Sequence, residues 1–587
     1  MAHSSVTDVL RERASLHPDD TAFTYMNYDI DWEGVAETLT WGQLYRRVCN
    51  FAHELTAHAE PGERVVILLP QSLDYIVAFL GSLQANMVAV PLSVPAQGRH
   101  DERVTSVLRD AAPTVVVTTA DLADDVNHLV AQDMSREADG AGVDRSIPAV
   151  LLVDTLDLDS SRRQRRPRRA AQTTAYLQYT SGSTRTPAGV MVTHRNLMAN
   201  FEQIMAGFFP GSVAPPDATA VTWLPFYHDM GLMLGVCAPI LAGWHTVFTS
   251  PASFLVRPAR WVKLLGTNPS AITAAPNFAF ELAAAKTTDD DLEGIDLSGI
   301  ECVLSGSERV HPTTLGRFAD RFGPFGLQRT MLRPCYGLAE ATLFVATQEP
   351  GLPPRLVHFE PAQLAVGHAE PCEDGAGTAL VSYGTPKSPE VRIVDRQTRR
   401  ECVDGTLGEI WIRGDNVCAG YWENPAYTDA TFRAQMIDAS TDTVTEPWLR
   451  TGDLGFMSDG EFFIVGRIKD TIIVRGRNHY PDDIEVTVGE ITGGRAAAVL
   501  KEQEGTEELV VIAEVKTRGQ VDDEGLDRLR AVHTAITSAL SNKHGLRAAD
   551  LLLVPRGSLP ITTSGKIRRS TSAEMYVRGE FTPVMPG

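Results

Sequence analysis

A chain of 587 residues is too long for one ordinary domain and predicts roughly three to four compact units. Hydrophobic residues make up 43% and charged residues 22%, the balance of a globular protein with sizeable cores. A net charge of −21 makes a poor binder of nucleic acid, which needs a basic face, and suits a cytoplasmic enzyme. Seven scattered cysteines with no Cys-x-x-Cys pair argue against a disulfide framework or a zinc site and for reduced, buried thiols. Residues 1–7 carry no basic region followed by an apolar core, so no secretory signal is expected. The longest apolar run, 230–243, contains Pro239 and is too short to span a bilayer; it predicts a buried helix and no integral membrane segment.

In chain order, residues 6–16 have helical spacing, and Thr40 is placed to cap a second helix. Strand patterns at 64–70, 87–92 and 114–119 alternate with helical ones at 73–84 and 107–112. That alternation predicts parallel sheets covered on both faces. The basic run 161–169 reads as a surface loop, or as a docking spot for an acidic partner.

Residues 173–179 predict a strand, and Thr193 caps a helix that opens at His194. Between them Thr180, Ser181, Gly182, Ser183 and Thr184 form a loop of small and hydroxylated residues. Glycine lets backbone amides turn toward an anion, and the hydroxyls add donors, so the loop suits a polyphosphate. It is not a Walker A loop, because no Gly-Lys-Ser/Thr ends it, and an ordinary turn is the simpler alternative.

Residues 221–232 read as a strand, a polar turn and an apolar helix; His228 in the turn is either a hydrogen-bonded loop histidine or a pocket residue. Helices follow at 260–265 and 276–282, the second with an aromatic face for the core or for an acyl channel. A strand at 300–304 ends in the turn 305–308, and 333–342 opens a further segment. Residues 349–379 are rich in Pro, Gly and Ala with weak periodicity. A structureless connection beyond about fifteen residues is uncommon, so this is a distinct inserted element. Short strands at 391–394 and 408–413, and a pair at 448–455 and 461–467, predict a small β subdomain. From 471 onward, strands at 471–474, 496–500 and 509–515 and a helix at 526–541 predict a small separate domain.

Six stretches now stand in one order: 179–189, 224–231, 336–340, Thr451-Gly452-Asp453, Gly466-Arg467 and 560–566. Together they resemble the acyl-adenylate-forming superfamily of acyl-CoA synthetases, nonribosomal adenylation domains and luciferases, over nearly the whole chain. Within it the chain is most similar to the mycobacterial-type fatty acyl-AMP ligases. Residues 178–190 match that branch's loop, and the connection from Glu340 to Gly384 is longer than the general pattern by roughly twenty residues. The sequence departs from the wider pattern where Arg185 and Ala188 replace a Gly and a Lys, and where Ala339 replaces a Thr. Arg185 and Thr342 are the expected substitutes for the missing charge and hydroxyl.

The resemblance implies an α/β fold. A large N-terminal domain, 1–468, would hold two αβαβα-type parallel-sheet subdomains and a small β subdomain, and a mobile α+β C-terminal domain would fill 469–587. It implies that a medium- or long-chain fatty acid and ATP, with Mg²⁺, give acyl-AMP and pyrophosphate. The acyl group would then pass to an acyl carrier protein of a polyketide synthase. A fatty acyl-CoA synthetase is the alternative, and a non-catalytic nucleotide- or acyl-binding scaffold a second one. Carboxylate attack on the α-phosphorus brings two anions together, so positioning and charge stabilisation supply most of the catalysis. By the resemblance, Lys566 bridges the two acids, Glu340 holds Mg²⁺, and His228 sits at the carboxylate end of the acyl pocket. Residues 180–184 cradle phosphates, while Ser307, Glu308, Tyr336 and Gly337 hold adenine. Asp453 takes the ribose hydroxyls with help from Arg467, and Lys469 is the hinge. The inserted element is expected to restrict rotation at that hinge or to block a coenzyme A groove.

Overall fold

The computed structural model describes residues 5–95, 102–137, 147–160, 173–179, 188–373, 375, 377–437, 447–474, 477–503, 506–516, 523–562 and 566–585. The basic run 161–169 and the loop residues 180–184 therefore lie outside the described residues.

Local signals set most of the elements. The first helix spans Val6–Leu16, closed by a capping box between Ser5 and Asp8. Thr40 caps Trp41–Leu55 with Gln43 returning the bond, and Thr193 caps His194–Phe208 with Asn196. The predicted helix 73–84 is observed as Leu73–Gln84. The helix predicted at 107–112 begins earlier, at Glu102, because polar residues on its outer face hide the first turn from a pattern of apolar positions. The apolar run 230–243 is helical and buried, but its middle, Met233–Cys237, is wound as a π-turn. Among the described residues no helix is long and apolar enough to cross a membrane.

These elements build two large sheets. One has six strands in the order Ala149–Leu152, Val115–Thr118, Arg64–Ile67, Val88–Pro91, Thr174–Tyr179, Gly189–Thr193. All pairs are parallel except the last, which closes an antiparallel hairpin. The other has eight strands, with a parallel middle and antiparallel edges at Val35–Thr40 and Phe344–Thr347. Both have strands such as Val115–Thr118 and Ala271–Ala275 buried on both faces, as helices on either side require. One apolar core runs through both, from Val65 and Phe79 to Trp261 and Phe318.

The β unit is a four-stranded antiparallel sheet of Glu390–Val394, Gly408–Arg413, Leu449–Ser458 and Glu461–Arg467. The inserted element is not structureless. Leu356–Phe359 pairs antiparallel with Thr378–Val381 around the short helix Pro361–Leu364. Its Phe359 and Leu364 pack with the neighbouring Leu380 and with Phe456, Phe463 and Tyr480. The backbone N–H of Asn478 donates to the Ala365 carbonyl at 2.9 Å, which ties the element to the C-terminal region.

That region has its own sheet: Ala496–Gln503, Thr506–Val515 and Asp550–Pro555. Alternation divides its side chains between two cores. Ala496, Ala498, Val511 and Ala513 pack with Ile536 and Leu540, while Ala497, Val499, Val510 and Ile512 pack with Leu559 and Phe581. The α/β fold expected above is the one observed.

Candidate active site

A cleft of about 1730 Å³ opens where the two large sheets, the β unit and the C-terminal region meet. The strand Leu332–Gly337 brings Tyr336 and Gly337 to it, and a single turn, Ala339–Ala341, carries Glu340. Gly337 has no room for a side chain, since a Cβ there would lie 1.9 Å from the Leu343 carbonyl oxygen. The Tyr336 hydroxyl donates to Asp453 Oδ2 at 2.7 Å. Its ring meets Phe462 edge-on at 5.7 Å.

Antiparallel pairing sets Asp453 opposite Arg467, with Arg467 Nε 3.3 Å from Asp453 Oδ1. The Asp453 amide donates to Thr451 Oγ1 at 3.0 Å. The nearby Asp453 carboxylate is the main reason the Arg467 guanidinium is held above its ordinary value. Both Asp453 and Arg467 face the cleft.

The turn after Cys302–Ser305 puts Ser307 in a left-handed conformation, φ 72°. Glu308 lies beside it, its acidity weakened first by burial and restored in part by the Lys566 charge. Lys566 arrives from the far end of the chain. The Lys566 amide donates to Thr562 Oγ1 at 3.0 Å, and Thr562 N–H returns a bond to the Lys566 carbonyl at 2.7 Å. The ammonium reaches the Ser307 carbonyl, to which Nζ donates. Burial pulls the Lys566 ammonium below the ordinary lysine value, while Glu308, Asp229 and Asp453 act the other way. Lys469, on the turn Ile468–Asp470, also lines the cleft and is lowered by burial.

His228 precedes the helix Asp229–Leu232, its Nδ1 2.6 Å from Asp229 Oδ1. Burial works to raise the Asp229 carboxyl, but the His228 charge and hydrogen bond and the Met230 amide hold it below the usual range. Gly231 lets this helix start against the preceding turn, because a Cβ there would lie 2.2 Å from the Pro225 carbonyl oxygen. The Glu340 carboxylate is pushed up chiefly by burial, and its Oε1 accepts from the Tyr421 hydroxyl at 2.9 Å. Among the described residues no Lys, Arg or His nitrogen lies within 4.0 Å of it.

The structure thus brings His228, Ser307, Glu308, Tyr336, Gly337 and Glu340 together with Asp453, Arg467, Lys469 and Lys566 around one cleft. Thr180, Ser181, Gly182, Ser183, Thr184 and Arg185 lie outside the described residues, although the hairpin strands on either side reach the cleft through Gln178, Tyr179 and Ala188. The expectation for Thr342 is corrected. Its hydroxyl is fully buried and donates to the Asn416 carbonyl at 2.7 Å, because a φ of 67° turns it away from the cleft.

Sequence reasoning missed three groups. Asp229 pairs with His228 and could have been noticed as its neighbour in the chain. Tyr421 carries no local signal of its bond to Glu340. Arg309 pairs with Asp483 at 2.8 Å across the boundary between the large and C-terminal regions. Nothing in the pattern around either residue announces that pairing.

The AMP-binding enzyme family matches residues 10–422, and the AMP domain of Disco-interacting protein 2-like proteins matches residues 469–584. The long-chain-fatty-acid–AMP ligase FadD23 of Mycobacterium tuberculosis is 55% identical over 584 residues, covering 99% of this chain and 98% of that one. The long-chain-fatty-acid–AMP ligase FadD28 of the same species is 53% identical over 584 residues, covering 99% of each. Among solved structures, a fatty acyl-adenylate ligase from L. pneumophila in complex with acyl adenylate and pyrophosphate is similar with a TM-score of 0.73 and 32% identity, over 99% of this chain and 96% of that one. A structure from a study of fatty acyl-adenylate ligases from E. coli and L. pneumophila reaches a TM-score of 0.82 at 28% identity, over 98% of both chains. With a family match through most of its length and relatives more than half identical from end to end, this chain belongs to the AMP-binding enzymes, in their fatty-acid–AMP ligase branch.

Proposed function

We propose that this protein condenses a medium- or long-chain fatty acid with ATP to give fatty acyl-AMP and pyrophosphate, and delivers the acyl group to an acyl carrier protein of a polyketide synthase in the cytoplasm. The observation that carries this reading is Lys566, a cation from the C-terminal region aimed into a cleft lined by Glu340, Asp453 and Tyr336.

In this reading a fatty carboxylate oxygen attacks the α-phosphorus, the bond to the β-phosphate oxygen breaks, and pyrophosphate leaves. Lys566 draws together the two anions, which repel one another until a compact positive charge sits between them. Asp453, held by Tyr336 and Arg467, accepts from the ribose hydroxyls. The turn of Ser307 and Glu308 holds the adenine with Tyr336 and Gly337, and His228, steadied by Asp229, flanks the reacting carboxylate. The loop 180–184 receives the phosphates. Glu340 suits Mg²⁺, being a hard oxygen ligand in the cleft with no cation against it among the described residues. Bound there, Mg²⁺ would neutralise the charge of the departing pyrophosphate. Residues 1–468 and 469–587 act as two domains, hinged at Lys469, so that Lys566 enters for this half-reaction and withdraws for the next.

The test is product analysis by mass spectrometry after incubation with ATP and a panel of fatty acids, alone, with coenzyme A, and with a phosphopantetheinylated carrier protein. Acyl-AMP alone and acyl-carrier with the protein acceptor support the proposal. Equal thioester yield with coenzyme A identifies an acyl-CoA synthetase, and no nucleotide product with any acid leaves only a binding scaffold.

A further inference from the structure

Tyr421 belongs to no regular element, yet its side chain is among the most constrained next to the cleft. The ring is 4% exposed, stacks on Tyr427 at 4.4 Å with a 7° interplanar angle, and meets Phe432 edge-on at 5.1 Å. Its amide donates to Thr428 Oγ1 at 2.9 Å. The preceding Gly420 sits at φ 133°, where a Cβ would lie 2.4 Å from Thr428 Cγ2. Tyr421 therefore has almost no rotamer freedom, and its hydroxyl is delivered to Glu340 Oε1 at 2.9 Å.

The backbone on either side makes a second set of ties. Cys418 N–H donates to the Glu340 carbonyl at 2.9 Å, so the same short segment grips both ends of that glutamate. Met191 N–H donates to the Gly420 carbonyl at 2.9 Å, and Trp422 N–H to the Gly189 carbonyl at 2.8 Å. Residues 418–422 thus run beside Gly189–Thr193, the returning arm of the hairpin in the six-stranded sheet, joined to it by the single antiparallel bridge of Val190 with Tyr421. Glu340 belongs to the eight-stranded sheet's side of the cleft, at the turn after Leu332–Gly337. One five-residue brace spans the two.

We propose that Tyr421 is a positioning residue for adenylation: its hydroxyl holds the Glu340 carboxylate, which lines the cleft, at a set distance from the hairpin. This inference rests on the function proposed above, with Glu340 as the oxygen ligand of Mg²⁺. The hydroxyl's work is directional. A carboxylate on a one-turn helix is free to swing, and a donor on a locked aromatic ring removes that freedom before substrate arrives, as preorganised sites require.

The test uses the full chain and three variants: Tyr421→Phe, which keeps the ring, Tyr427→Ala, which removes the stacking face, and Tyr421→Phe combined with Glu340→Gln. Two readouts apply: the rate of pyrophosphate release with a fatty acid, and Mn²⁺ affinity in the presence of a non-hydrolysable ATP analogue, read by electron paramagnetic resonance. Loss of a hydrogen bond to a charged group predicts that Tyr421→Phe lowers kcat and Mn²⁺ affinity by about tenfold each. AMP affinity without metal should be unchanged. Tyr427→Ala should shift both in the same direction by about threefold, and the double variant should be no worse than Glu340→Gln alone. Wild-type values in both Tyr421→Phe and Tyr427→Ala overturn the inference, as do additive losses in the double variant. A wild-type chain that forms no acyl-AMP instead overturns the functional reading beneath it.

Discussion

In the proposed reaction, Lys566 is the residue on which the chemistry turns. Its amide is bonded to Thr562, its ammonium donates to the Ser307 carbonyl, and the charges of Glu308, Asp229 and Asp453 act on it. Lys566→Ala leaves the Thr562 backbone bond and both C-terminal cores in place. It should lower adenylate formation by about a thousandfold while ATP binding and thermal stability barely change. Parallel measurement of pyrophosphate release, nucleotide affinity and Tm checks this, and full turnover would remove the lysine from the mechanism. The same burial sets a pH dependence. Lys566 is held below the ordinary lysine value of 10.5 in the cleft, so under the proposed hinge motion the inserted state would bind fewer protons than a withdrawn one between the lowered value and 10.5. Rising pH through that window favours insertion but strips the charge that the reaction needs. The profile of kcat/KM for ATP should therefore fall on an alkaline limb that begins below 10.5. A profile flat to that value would contradict the assignment.

At the level of elements, the segment 349–379 changes meaning once its contacts are seen. Weak periodicity marked it as an insertion, and its strand Leu356–Phe359, paired with Thr378–Val381, and its buried Phe359 and Leu364 make it a packed plate between the β unit and the C-terminal region. A plate that bonds to Asn478 and packs on Tyr480 would resist movement of everything downstream. Deleting 350–378 should let the C-terminal region turn and so allow thioester formation with coenzyme A, measured as acyl-CoA by mass spectrometry. It should also lower Tm by a few degrees, about what exposing Phe456 and Phe463 costs a large chain. Loss of Tm without any acyl-CoA would mean that the plate stabilises the fold and does not gate the reaction.

At the scale of the whole molecule, the Arg309–Asp483 pair is one of the ties, among the described residues, that hold the C-terminal region in position. Arg309 also donates to the Val465 carbonyl at 3.3 Å, so it clamps the large region, the β unit and the C-terminal region at one point. Asp483→Ala strands a buried guanidinium, which costs roughly 3 kcal/mol when a partner is removed. The variant should adenylate about tenfold more slowly and be cut faster near 468–470 in limited proteolysis. Both fragments should keep their secondary structure, since each side has its own cores. Unchanged cleavage would show that other contacts fix the geometry. Much of this molecule was readable before any coordinates. Val6–Leu16, Leu73–Gln84 and the Thr40 and Thr193 caps all rest on interactions within a few residues, and local spacing records those. The π-turn in 233–237, the inward turn of Thr342, the bond from Tyr421 to a glutamate 81 positions away and the pairing of Arg309 with Asp483 were not readable. Each depends on which sheet edges and turns come to lie side by side, and residue order carries no local periodicity for a contact that only the packing of distant elements creates.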